Sequence, residues 1–134
     1  MRTPSNKLAW GIIAVIVIIV GIVIINSQAP ASGKYDQFAS CLKDKGAVFY
    51  GAFWCSHCQN QKKAFGDSAR LLNYQECSTP DGNGQVPLCR DKKIESYPTW
   101  EFKDGSRELG EISLEKLAEK TGCQAELNAG KANK

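Results

Sequence analysis

Two cysteines and a histidine stand together as Cys55-Ser56-His57-Cys58, inside the stretch YGAFWCSHCQNQKKAFG. Two intervening residues are enough for the cysteines to close a small disulfide ring, so a redox-active dithiol is the first possibility. The same residues could be part of a metal site or of ordinary core packing. His57 is the only histidine of the chain, and its imidazole is expected beside the Cys55 sulfur, where it would tune the redox potential or remain solvated without effect.

Metal binding requires ligands beyond these three residues. A structural zinc site needs four ligands, commonly including a second CxxC or a histidine pair. The spacing of Cys77 and Cys89 does not repeat the CxxC pattern. Copper capture by the CSHC segment would need an open site and a further ligand. We therefore expect no metal and no cofactor.

The flanking sequence predicts that the dithiol lies between a buried strand and a helix. Residues 47–53, AVFYGAF, are a nearly continuous apolar run of strand length, and residues 58–65 are good helix formers before Gly66. A helix N-terminus stabilises an anion. We expect Cys55 to be an exposed nucleophile with a lowered pKa, and Cys58 to be the shielded resolving thiol.

The remaining pattern predicts an α/β domain. Apolar spacing predicts a helix before the first strand, and Ser113 can cap a last helix that ends at Gly122. A second strand, a loop and an Asp-Gly hairpin lie between, at 71–77, 79–87 and 99–112. The order helix, strand, helix, strand, loop, strand, hairpin, strand, helix is thioredoxin-like, with a central mixed sheet and helices on both faces. The expected core aromatics are Phe49, Phe53, Phe65 and Phe102.

Leu8–Ile25 is an apolar run of eighteen residues without charged or polar side chains. A helix of this length measures about 27 Å, close to the thickness of the bilayer hydrocarbon. A cleaved signal peptide and a buried core segment are the alternatives to an uncleaved anchor. Arg2 and Lys7 precede the run, so we expect a cytoplasmic N-terminus and an extracytoplasmic domain, on the periplasmic or cell-surface side of the cell membrane. The expected segments are a tail, a transmembrane signal-anchor helix, a linker, a thioredoxin-like domain and a flexible tail, at 1–7, 8–25, 26–33, 34–123 and 124–134.

The exported part is nearly neutral and contains all six cysteines. It carries 15 Lys and Arg against 14 Asp and Glu, so its charge does not suggest a nucleic-acid partner. An even number of cysteines in an oxidising compartment favours disulfides, and spacing alone leaves 15 pairings open.

The frame FWCxxC followed by YPT resembles the thioredoxin superfamily. The fuller pattern, with YQEC, SYPTW and GEISLEKLAEKTG, resembles the thioredoxin-like partner domain of vitamin K epoxide reductase homologues, from Phe38 to Gly122. That domain is fused to the membrane enzyme in cyanobacteria and plants, and is a separate anchored protein in other prokaryotes. The resemblance implies that the chain oxidises thiols of exported proteins and is reoxidised by the integral membrane homologue, which passes the electrons to quinone.

The resemblance also implies roles for individual residues. Cys55 and Cys58 would be the redox pair, and Pro98 a cis-proline facing them, although an isolated X-Pro bond is usually trans. Trp54 is expected to contact substrate or to pack, and Tyr97 and Thr99 could line the same groove.

Two structural disulfides complete the expectations. The resemblance implies a bridge between Cys77 and Cys89, which leaves Cys41 and Cys123 to pair. In the thioredoxin topology the helices carrying this last pair lie on opposite faces of the sheet, so the bridge would have to pass around an end.

Two positions depart from the family. Phe49 stands where many thioredoxins carry a buried carboxylate, and Ser56 where many relatives carry proline. The first departure counts against an efficient reductase. Alternatives to thiol oxidation are a reductase or isomerase of the cytochrome-maturation type and a copper-binding or redox-inert adaptor.

Overall fold

The computed structural model describes the backbone of residues 6–26 and 32–132, and the side chains of residues 10–22 and 32–132. Parts of the predicted N-terminal tail, linker and C-terminal tail lie outside the described residues: 1–5, 27–31 and 133–134. The chain divides into two units, residues 1–31 and 32–134, each considered by itself.

The first unit contains helix α1, Asn6–Asn26, at the position of the predicted anchor. Its large apolar side chains between Trp10 and Ile22 are exposed. Over the described residues, none of the helices combines the length and the apolar character that spanning a bilayer requires. The transmembrane anchor therefore stays a prediction from the sequence.

The second unit is a mixed α/β domain. Its described elements, in chain order, are α2 Asp36–Asp44, β1 Val48–Gly51, α3 Ser56–Phe65, a 3₁₀ helix Gly66–Leu71, β2 Tyr74–Glu76, α4 Pro87–Asp91, β3 Thr99–Glu101, β4 Arg107–Leu109, α5 Leu114–Thr121 and α6 Gln124–Ala132. The strands are shorter than the sequence predicts. Helices α4 and α6 were not predicted.

The four strands form one sheet in the order β2-β1-β3-β4. Strand β1 pairs in parallel with β2 and antiparallel with β3, and β3 pairs antiparallel with β4. The predicted hairpin between β3 and β4 turns at Gly105, whose φ of 81° is rarely adopted by residues with a side chain. A four-stranded sheet with flanking helices fits the expected thioredoxin-like fold.

Alternate side chains of β1 enter two unequal cores on opposite faces of the sheet. Phe49 lies in the larger core and stacks on Trp100, with ring centroids 4.8 Å apart. Tyr50 lies in the smaller core with the segment around Cys89. Helices α2, α3, α5 and α6 all contribute side chains to the larger core, whereas α4 covers the other face.

Two disulfides brace the domain. The long-loop disulfide, Cys41–Cys123, joins residues 82 apart in the chain, and the short-loop disulfide, Cys77–Cys89, joins residues 12 apart. Both are the pairs expected from the sequence. The expected path of the long-loop disulfide is wrong, because α2 and α5 share the larger core and Cys123 directly follows α5. The bridge therefore stays on one face of the sheet.

The flexible tail predicted for 124–134 is replaced through residue 132 by helix α6. Leu127 is buried in the larger core, so the helix is part of the domain. Gly130 approaches α2 so closely that a Cβ atom there would lie 2.6 Å from Cδ1 of Tyr35. Gly130 thus reflects close packing, which composition alone does not distinguish from a frayed end.

Candidate active site

The dithiol lies where β1 passes into α3. Four residues after the end of β1, Cys55 is the N-cap of α3, and its Sγ accepts a hydrogen bond from the backbone N–H of Cys58 at 3.2 Å. A sulfur here takes the place of the side-chain oxygen that commonly caps a helix. The free amides and dipole of the helix N-terminus favour negative charge on this sulfur.

The two sulfurs are in contact and both cysteines are buried, so the expectation that Cys55 is exposed is wrong. The Sγ atoms of Cys55 and Cys58 lie 2.7 Å apart, and the Cys58 thiol donates to the Cys55 sulfur. Cys58 is 1% exposed and Cys55 is 7% exposed. Burial and the hydrogen bond with Cys55 raise the pKa of Cys58 to about 12. Cys55 is therefore suited to react with an outside partner, and Cys58 to react with Cys55.

A groove of about 550 Å³ opens over Cys55. Its lining residues come from the start of α3 and from the loop before β3: Trp54, Cys55, Ser56, His57, Glu95, Ser96 and Tyr97. The Cys55 thiol donates to the backbone carbonyl of Tyr97 at 3.7 Å, so the two walls meet at the reactive sulfur. An extended substrate segment could pair with this backbone while its sulfur reaches Cys55.

The Tyr97-Pro98 peptide bond is cis, and the Tyr97 carbonyl lies beside Cys55. Pro98 and Thr99 are themselves buried. The Thr99 hydroxyl donates to the carbonyl of Ser96 at 2.7 Å. Thr99 therefore holds the loop from inside the domain. It does not line the groove, where the sequence predicted it.

Two exposed aromatic side chains precede the dithiol. Trp54 is 53% exposed, its indole N–H donates to the Ser78 hydroxyl at 2.9 Å, and its ring packs edge-on against Tyr97. The prediction that Phe53 is a core residue is wrong, since it is 50% exposed. Strand β1 ends two residues earlier, so Phe53 lies on the turn into α3 rather than within the sheet.

His57 has a partner that the sequence did not reveal. Its Nδ1 lies 2.6 Å from Oε1 of Glu111, and Asn60 donates to the same oxygen at 3.3 Å. These hydrogen bonds lower the pKa of Glu111 from its ordinary value. The imidazole is thus held by the segment after β4. Glu111 is 54 residues from His57 in the chain, and no local pattern links them.

Phe49 lies in the larger core, as the sequence predicts. Polar groups on this side of the sheet come from the neighbouring strand, β2. The parallel register pairs Phe49 with Tyr74, whose hydroxyl donates to Glu76 at 2.7 Å. Neither Tyr74 nor Glu76 was a candidate from the sequence. The parallel register that places Tyr74 beside Phe49 is a property of the fold.

No family model matches the chain, but part of it is similar to a named oxidoreductase. Over 89 residues, which are 63% of this chain, it is 48% identical to "Thiol-disulfide oxidoreductase LTO1" of Arabidopsis thaliana. Those residues make up 23% of that protein, so the chain corresponds to less than a quarter of its relative.

Proposed function

We propose that the chain is a thiol–disulfide oxidoreductase whose Cys55–Cys58 pair cycles between a dithiol and a disulfide. The observation that carries this proposal is the contact between the two sulfurs at the N-terminus of α3, with Cys55 open to the groove. The name of the Arabidopsis relative supports the same reaction type.

In the proposed direction, the chain oxidises dithiols. A substrate thiolate attacks the Cys55 sulfur of the disulfide, the S–S bond breaks, and Cys58 leaves with the electron pair and takes a proton. The second substrate thiolate attacks the substrate sulfur bound to Cys55, and Cys55 leaves as a thiolate. The substrate gains a disulfide and the chain holds two more electrons. The Cys58 amide and the helix N-terminus stabilise the Cys55 anion, which favours the reduced form and strengthens the oxidant.

The proposal extends to location and partner. Residues 8–25 would anchor the chain in the cell membrane with the domain outside the cytoplasm, and a vitamin K epoxide reductase-like membrane protein would reoxidise the dithiol. The apolar run and the basic residues before it support the anchor. The motifs SYPTW and YQEC support the partner by resemblance, and the two structural disulfides fit an oxidising compartment.

The activity can be tested by mixing the oxidised chain with a reduced peptide that contains two cysteines. We expect the peptide to become intramolecularly oxidised while the chain is reduced. The C55A and C58A variants should both be inactive, and C58S mixed with a peptide disulfide should give a mixed disulfide through Cys55. A chain that reduces insulin disulfides but does not oxidise the peptide would support the reductase alternative. Peptide oxidation by C55A would refute the assigned site.

The partner can be tested in cells by trapping the redox state of Cys55 and Cys58 with an alkylating reagent. Deletion of the vitamin K epoxide reductase-like protein should leave the pair reduced. A pair that remains oxidised after the deletion would contradict the proposed electron route.

A membrane-impermeant thiol reagent added to intact cells should label the reduced Cys55, and protection of Cys55 until lysis would contradict the proposed orientation.

A further inference from the structure

The Tyr74 side chain and the Cys58 sulfur both lie beside Gly51, at the end of β1. A Cβ atom at residue 51 would lie 2.9 Å from Cε2 of Tyr74, 3.0 Å from Sγ of Cys58 and 3.3 Å from the Tyr74 hydroxyl. The resolving sulfur and the Tyr74 hydroxyl thus both lie within 3.3 Å of the position that a Cβ atom would occupy, and glycine leaves that position free.

The Tyr74 hydroxyl is linked in turn to a carboxylate that is held in place. It donates to Oε2 of Glu76 at 2.7 Å. The other oxygen, Oε1, accepts from the backbone N–H groups of Phe53 and Ser78 at 3.2 and 2.9 Å. Glu76 is an acceptor in all three contacts, and its position is fixed by the segments that follow both β1 and β2.

Lys62 adds positive charge to this pair. Its Nζ lies 3.3 Å from the centroid of the Tyr74 ring, and its charge also favours a thiolate at Cys58. An ammonium group donates protons and offers no lone pair. Lys62 can therefore stabilise charge on the sulfur, whereas the oxygens of Tyr74 and Glu76 can take up its proton.

We propose that Tyr74 and Glu76 form the proton path of Cys58. This inference rests on the proposed function. When Cys58 attacks the mixed disulfide at Cys55, its thiol proton passes to the Tyr74 oxygen as the Tyr74 proton passes to Glu76. The Cys58 thiolate then bonds to the Cys55 sulfur, and the outside thiolate leaves with the electron pair. In the opposite direction, the same path returns the proton to Cys58.

Cys58 is 1% exposed, so its thiol proton has little direct access to solvent. Phe49, the residue of β1 that pairs with Tyr74 of β2, has no acidic or basic group. Cys58 is buried and holds its proton more firmly than an exposed thiol. Burial and the Glu76 hydrogen bond also raise the pKa of Tyr74, so the phenol stays protonated and relays a proton without becoming an anion.

The test follows the reaction of the reduced full chain with 5,5′-dithiobis(2-nitrobenzoate), with both structural disulfides intact. Attack by Cys55 releases the first thionitrobenzoate in a phase that depends on reagent concentration. Attack by Cys58 on the mixed disulfide releases the second in a phase that does not. The first phase therefore reports the proposed function, and the second reports the proton step.

The variant Tyr74→Phe keeps the ring and removes the hydroxyl. We expect its second phase at pH 7 to slow by at least about 10-fold, with the first phase unchanged, because general base catalysis is commonly worth more than this. The deficit should shrink as the pH rises, since hydroxide replaces the path. Glu76→Gln should act in the same direction while keeping an oxygen for the two backbone donors.

Tyr50→Phe is the matched control, because the Tyr50 hydroxyl faces the other core and contacts Glu101 at 3.4 Å. It should leave both phases unchanged. A Tyr74→Phe second phase that equals the wild type at pH 7, or that is slowed equally at every pH, would overturn the proton path. If Tyr74→Phe does not fold, Glu76→Gln decides by the same criteria. Loss of the first phase in the wild type would instead overturn the proposed function.

Discussion

The burial of Cys58 beneath Cys55 predicts a large difference in reactivity between two thiols whose sulfurs touch. The pKa of Cys58 rises from 9.0 to about 12, chiefly because burial penalises the thiolate. At pH 8 the thiolate fraction of Cys58 is therefore lower than that of an unperturbed cysteine by a factor of about 10³. Alkylation consumes thiolate, so the labelling rate should fall by at least the same factor.

The assay treats the reduced chain with iodoacetamide and maps the adducts by peptide mass spectrometry. In the folded chain at pH 8 we expect one adduct at Cys55, and in urea adducts at both residues. The C55S variant measures Cys58 without competition from Cys55.

The pH profile separates ionisation from simple obstruction of the reagent. If burial raises the pKa, labelling of Cys58 in folded C55S should increase about tenfold per pH unit beyond pH 9. A rate that levels off near pH 9, or one within about tenfold of the unfolded rate at pH 8, would refute the reasoning.

Three further results are expected. Replacing both cysteines by alanine should lower the free energy of unfolding by about 4.5 kcal/mol for the long-loop disulfide and about 3 kcal/mol for the short-loop disulfide in guanidinium titrations, and the reverse order would contradict the loop-closure argument. Gly51→Ala should lower the free energy of unfolding by about 1–3 kcal/mol, because its Cβ would overlap Tyr74 and Cys58. A loss of stability below about 0.5 kcal/mol would show that these side chains move aside. The reduced chain should lose stability relative to the oxidised chain as the pH rises from about 9 to about 12, since Cys58 ionises first in the unfolded state, and parallel profiles would contradict the raised pKa.

The position of the dithiol follows from local sequence. An apolar run of strand length before CSHC and helix formers after it place Cys55 at a strand-to-helix boundary, and the structure has the cap and the first turn of α3 there. That the loop of SYPTW meets the dithiol was implied by the family resemblance, whereas the motif itself indicates the turn and the strand that follows it.

The side-chain contacts around the dithiol depend on long-range packing. The pairing of His57 with Glu111 and the approach of Tyr74 to Cys58 join residues from different elements, and no spacing rule connects them. Thr99 shows the same limit within one motif: Tyr97 lines the groove, whereas Thr99, the first residue of β3, is buried and its hydroxyl donates to the carbonyl of Ser96.

Helix α6 could not be predicted from amphipathic patterning, because its segment offers Leu127 to the larger core among small and polar residues. The formation of helix α6 depends on its packing against the larger core. The shared face of α2 and α5 was missed for a related reason, since the topology expected from the element order assigned the two helices to opposite faces of the sheet.

The most direct test of the central claim is the redox equilibrium between the chain and thioredoxin, measured from the fractions oxidised after mixing the oxidised chain with reduced thioredoxin. The proposed role in thiol oxidation predicts that electrons flow to the chain, leaving it mostly reduced, so that its potential lies above the value of about −270 mV for thioredoxin. An equilibrium in which the chain remains oxidised and thioredoxin remains reduced would contradict a role for Cys55 and Cys58 in oxidising thiols.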